Sequence, residues 1–163
     1  MTDHAYGITM FCDDIRHEVN GKLTLVGCYS SELNFTGPPP GVLPTFAALV
    51  HLRFPQETTF ETLDLSVIKV EEEETLQIFS SQTKVSQDAF LDKSDAKEDN
   101  QSDKILSVVV PIQWAALVFS GPALLRVRAK LDSGVEVRAG SLVINFPTEN
   151  SEEQLTSPKT AST

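Results

Sequence analysis

Phe11-Cys-Asp-Asp-Ile-Arg-His-Glu-Val-Asn-Gly-Lys-Leu-Thr-Leu-Val-Gly-Cys-Tyr29 reads as a β-hairpin, and its register follows from its hydrophobic pattern. Val19-Asn20-Gly21 serves as a three-residue loop with Gly21 in the left-handed position of a bulge. Ile15 then faces Leu25, His17 faces Leu23, Phe11 faces Tyr29 and Cys12 faces Cys28. Glu18 faces Lys22 as a cross-strand ion pair. The apolar set falls on one face, as a half-buried hairpin requires. A two-residue Asn-Gly turn would set Arg16 beside Leu25 and Glu18 beside Leu23, which scatters that face.

The same grammar returns near the C-terminus, where Asp132-Ser133-Gly134 is the loop. Leu131 faces Val135, Ala129 faces Val137 and Val127 faces Ala139, all inward. Lys130 faces Glu136 outside, and Arg128 faces Arg138 with Arg126 two residues away. Like charges directly opposite are unfavourable. An anion, a carboxylate from elsewhere, or solvent must relieve them.

Between the hairpins, runs rich in Val, Ile, Leu and Phe alternate with turn residues. Strands are expected near 6–12, 15–19, 22–33, 45–54, 62–70, 75–84, 105–113, 124–131 and 135–146. This spacing predicts a two-sheet antiparallel β-sandwich of seven to nine strands, immunoglobulin-like or C2-like in shape. Gly37-Pro-Pro-Pro-Gly41 cannot supply ladder hydrogen bonds and reads as a connection. Residues 86–99 make only a weak case for a short helix. Residues 86–104 read as a long charged loop. The domain is expected over 1–147, followed by a disordered acidic Ser/Thr/Pro tail at 148–163.

The 163 residues are 40% apolar and carry a net charge of −10. Most of that charge lies in Glu71–Glu74, the 86–104 loop and the tail, so the folded body is close to neutral. With no long basic stripe, no nucleic-acid partner is expected. No apolar run reaches the roughly 18 residues of a membrane span, and the start lacks a secretory pattern. A cytoplasmic location is expected. The sequons at Asn34 and Asn100 are then irrelevant, and Cys12 and Cys28 are expected as two thiols rather than a disulfide.

No phosphate loop, nucleophile elbow, zinc spacing or calcium loop is present. Cys12 and His17 differ by five, so a regular strand points them to opposite faces and argues against a catalytic pair. No catalytic residue, metal ligand set or cofactor is assigned. The candidate binding residues are Asp13, Asp14 and Arg16 on the first hairpin, which folding alone does not account for, and Arg126, Arg128 and Arg138 on the second. Arg16 is expected to pair with a carboxylate of its own strand. His51, in a strand apolar on both faces, reads as a satisfied core histidine, and Trp114 reads as core.

Phe11 to Arg16, Glu18, Gly21, Lys22, Leu25 to Gly27 and Tyr29 resemble the opening of a bacterial family of short proteins of unknown function. Its members carry F-C-D-D-I-R-x-E, then G-K, then L-[IV]-G-x-Y. The resemblance covers about the first 30 residues and the rest only by pattern. It implies a bacterial β-sandwich and carries over no active site, cofactor or substrate. The leading expectation is a non-catalytic binding or assembly module with a protein partner or self-association. Its candidate contacts are the Gly37–Gly41 loop, the 86–104 loop and the outer face of the first hairpin. Two alternatives stand beside it. One is a metal-binding or metal-dependent domain using Asp13, Asp14, Glu18 and the 86–104 acids. The other is a structural component of a phage or secretion-type assembly.

Overall fold

The computed structural model describes residues 4–55, 58–72, 74–85 and 105–148. The 86–104 loop, the weak helix at 86–99 and all of the expected tail except Thr148 lie outside the described residues. The architecture is an all-β sandwich, as the alternation requires. Ten strands are described: β1 (Tyr6–Cys12), β2 (Asp14–His17), β3 (Leu23–Val26), β4 (Glu32–Asn34), β5 (Gly41–Pro55), β6 (Thr62–Glu71), β7 (Glu74–Lys84), β8 (Ile105–Phe119), β9 (Ala123–Leu131) and β10 (Glu136–Asn145). One sheet has the order β1-β5-β8 and the other β4-β10-β9-β6-β7; β2 and β3 pair only with each other. No described helix is long and apolar enough to cross a membrane.

The core lies between the two sheets. Strand β5 sends Phe46, Ala48, Val50, Leu52 and Phe54 inward against β6, β9 and β10. Each such side chain contributes roughly 1.5–3 kcal/mol on burial. The alternation slips where the sheets must curve. At Ala139/Gly140 a bulge carries β10 past β9, so Val137 and Ala139 point inward before it and Leu142 and Ile144 after it. Val127 therefore pairs with Gly140, one residue beyond the expected Ala139. In β8 the inward set changes from Ile112 and Trp114 to Leu117 and Phe119 across Ala116, whose φ is +56°.

Side chains tie the sheets along both edges. Thr9 Oγ1 of β1 donates to the Ala139 carbonyl of β10 at 2.9 Å. On the opposite edge, Trp114 Nε1 of β8 donates to the Ile78 carbonyl of β7 at 3.2 Å. Ile78 is the extra residue of a bulge, since Phe79 pairs with Val67 and Gln77 with Ile68. The bulge frees that carbonyl from the ladder, and the indole satisfies it while stacking obliquely on Phe46. At one end Lys69 is buried on the inner face of β6. Its Nζ reaches Glu71 at 2.9 Å and the Val118 carbonyl at 3.1 Å, above the Phe119 ring.

Two departures concern segments expected to be simpler. The strand expected over 22–33 is two, β3 and β4, separated by Gly27 at φ +66°. Among the described residues every strand pairing is antiparallel except β4 on β10, where Glu32–Asn34 run parallel to Val143–Asn145.

Candidate functional site

The first hairpin has the expected register: Ile15 opposite Leu25, His17 opposite Leu23 and Phe11 opposite Tyr29. Gly21 has φ +72°, and Asn20 beside it has φ +65°. The loop closes through Glu18 N–H to the Lys22 carbonyl at 2.8 Å. The described ion pairs are Arg16–Asp14, Lys69–Glu71 and Arg128–Glu136, so the expected Glu18–Lys22 pair does not form. Backbone closure already holds these two residues together, and an exposed ion pair adds little.

Strands β2 and β3 fold over the outer face of the β1-β5-β8 sheet. Ile15, with Leu23 and Leu25 behind it, covers Ala47, Leu49 and Cys12. Gln113 of β8 clamps the hairpin down, its Nε2 donating to Asp14 Oδ1 at 3.1 Å and to the Ile15 carbonyl at 3.0 Å. The outer face of β5 thus gains a third layer at Ala47 and Leu49.

The two aspartates of the hairpin diverge. Asp13 points to the core edge, where Oδ1 accepts a hydrogen bond from Tyr29 Oη. Its carboxylate lies against Gly27, at whose position any Cβ would meet Asp13 Oδ2 and come within 2.7 Å of Asp13 Cγ. Asp13, Gly27 and Tyr29 are therefore one unit: a carboxylate seated on a left-handed glycine and held by a phenol. Burial, then the hydrogen bond to Asp13, push the Tyr29 hydroxyl well above its ordinary pKa. Asp14 faces the other way, taking Gln113 and, at 3.4 Å, the Arg16 guanidinium, which is the expected own-strand pair. The structure does not gather Asp13, Asp14 and Arg16 around one point.

Cys12 is fully buried and Cys28 exposed, both as free thiols. Burial, then the neighbouring Cys28, push the Cys12 thiol up to about 11. His17 is exposed while Cys12 is buried, as the odd spacing implies. Among the described residues no group of three His, Cys, Asp or Glu side chains could hold a metal ion.

The three arginines of the second hairpin do come together on the outer face of the five-stranded sheet. Arg128 pairs with Arg138 across the ladder, and Arg126 pairs with Ser141. A carboxylate reaches one of them: Glu136 Oε1 lies 4.0 Å from Arg128 Nε. Arg128 also donates to the Val127 carbonyl. Glu136 stands opposite Lys130 but leans to the diagonal neighbour, leaving Arg126 and Arg138 exposed without an ion pair among the described residues.

Two features escaped the sequence. The first is His51, which is half-buried on the outer face rather than in the core, with Nε2 2.6 Å from Ser107 Oγ. A serine–histidine pair can make a nucleophile, but that needs a third group orienting the ring and donors for an oxyanion. This pair sits on an open strand face, and no other side-chain hydrogen bond to His51 is made among the described residues. The register of β5 against β8 creates the contact, which no local motif encodes.

The second is an apolar surface. Beyond the rim of the hairpin, the outer face of the same sheet carries Ile8 and Met10 from β1 and Val109 and Ile105 from β8, 59%, 44%, 47% and 47% exposed. Ile8 and Val109 flank His51 in the ladder, and Met10 and Pro111 flank Leu49. The signal available in sequence was that β5 is apolar on both faces. What it could not show is that the hairpin covers only part of one. Neither protein-family models nor curated proteins match this chain.

Proposed function

We propose that the chain is a non-catalytic binding module whose docking surface is the outer face of the β1-β5-β8 sheet. The observation that carries this is the exposed row of Ile8, Met10, Val109 and Ile105 beside the β2–β3 hairpin. Single exposed apolar residues are ordinary, but several on one sheet face, here set around His51 and Pro111, favour an interaction surface. The hairpin packed beside it supplies a fixed shoulder, with Asp14 and Arg16 at its polar rim. An apolar centre with a polar rim is the usual anatomy of a protein interface.

Sedimentation and light scattering over a range of concentrations test self-association, comparing wild type with Ile8→Lys and Val109→Glu. A species larger than the 17.9 kDa chain that returns to monomer in both variants identifies a second copy as the partner. A wild-type monomer moves the test to capture from the native host with the same variants as controls. A protein captured by both variants as well as by wild type refutes this face.

A further inference from the structure

Backbone hydrogen bonds bracket Cys12 and Cys28. Tyr29 N–H donates to the Phe11 carbonyl at 2.8 Å, and Asp13 N–H is shared between the Val26 carbonyl at 2.9 Å and the Gly27 carbonyl at 3.3 Å. The register on either side, Asp14 opposite Val26 and Phe11 opposite Tyr29, sets Cys12 opposite Cys28 across this break in the ladder. Directly opposed residues of antiparallel strands hold their Cα atoms about 4.5–5.5 Å apart with side chains on the same face. A disulfide needs Cα atoms roughly 4.4–6.8 Å apart. The facing is independently fixed by the next residues. Phe11 and Tyr29 both pack on Phe46 in the main core, at 5.9 and 6.1 Å between ring centroids. One residue along each strand, Cys12 and Cys28 therefore point to the opposite side together.

We propose that Cys12 and Cys28 are a reversible dithiol site that closes into an intramolecular disulfide when a peroxide oxidises Cys28. Exposure makes Cys28 the residue a peroxide meets, while Cys12 is enclosed by Ile15, Ala47 and Leu49. The Cys28 thiolate attacks one peroxide oxygen, the O–O bond breaks, and hydroxide leaves to be protonated to water. Cys28 is then a sulfenic acid. Cys12 gives up its proton and attacks that sulfur, forming the S–S bond and expelling the hydroxyl as a second water. Two electrons pass from the two thiols to the peroxide. Burial keeps Cys12 out of reach of the peroxide and leaves it the resolving step. Closure would staple β1 to the segment bearing Tyr29 beside Gly27, where the hairpin ladder is interrupted.

The test uses the reduced full chain treated with dilute hydrogen peroxide. The expected product is a monomer lighter by about 2 Da. Trypsin cuts after Arg16 and Lys22, so its digest should contain a linked peptide pair joining Cys12 to Cys28. Dithiothreitol should restore both thiols, and the oxidised form should melt several degrees higher because a loop is closed in the unfolded chain. Cys28→Ser, a change at an exposed position, should leave Cys12 reduced under the same treatment. Sulfinic acid at Cys28 with Cys12 still free, or Cys28–Cys28 dimers as the only crosslink, would overturn the proposal.

Discussion

Replacing Gly27 by alanine tests the unit that joins the first hairpin to the sheet. At φ +66° the new side chain is strained, which costs roughly 1–2 kcal/mol. Its Cβ would also occupy space held by the Asp13 carboxylate, with Asp13 Cγ only 2.7 Å away. Asp13 must move, and the hydrogen bond from Tyr29 goes with it. A hydrogen bond to a charged group contributes roughly 1.5–3 kcal/mol. The total is about 2.5–5 kcal/mol, or roughly 5–20 °C in Tm for a chain of this size. Gly21→Ala is the matched control, because Gly21 has φ +72° but no atom within 4 Å of its would-be Cβ. It should lose only the strain, roughly 1–2 kcal/mol. The assay is thermal and urea unfolding of both variants in wild-type and Asp13→Ala backgrounds. With Asp13 truncated, Gly27→Ala should fall to the cost of Gly21→Ala. Equal losses for the two glycines in the wild-type background would refute the Asp13–Gly27–Tyr29 unit.

Other outcomes follow from the same geometry. Lys69→Ala leaves the largely buried Glu71 without its cation and should cost about 3–5 kcal/mol by urea unfolding, part of it recovered in Lys69→Ala/Glu71→Ala. Cys12 and Tyr29 hold their protons more tightly folded than unfolded, so the stability they contribute is complete below about pH 9 and is lost as pH rises toward and beyond about 11. Cys12→Ala/Tyr29→Phe should therefore flatten the alkaline limb of a plot of stability against pH. At pH 8 roughly one Cys12 in a thousand is thiolate, so iodoacetamide should label Cys28 quickly and Cys12 only after unfolding.

Much of this architecture was readable from the chain because alternation and turn residues agreed. The register of the first hairpin follows from requiring Ile15, Leu23 and Leu25 on one face, and that face is the one laid on Ala47 and Leu49. Trp114 reads as core and is half-buried against it, where its capping of a bulge carbonyl depends on a partner 36 residues away. What stayed hidden has a common origin. A glycine in a strand looks the same whether extended or left-handed, so the break at Gly27 was invisible, and with it the reason for Asp13. The bulge at Ala139/Gly140 is likewise a demand of sheet curvature that the local pattern does not announce. Candidate residues that looked functional because folding left them unexplained divide accordingly. Asp13 is absorbed by Tyr29 and Gly27, and Asp14 and Arg16 by each other and Gln113, whereas Arg126 and Arg138 remain exposed.

The most direct measurement of the central claim is radical footprinting of the chain alone and in extract of its native host. Met10 is 44% exposed on the proposed face, while Leu76 is 51% exposed on β7, in the other sheet. The account predicts that Met10 and Ile8 lose reactivity in the extract while Leu76 keeps it. Unchanged reactivity at Met10 and Ile8, with no dependence on protein concentration for the chain alone, would contradict a docking surface there.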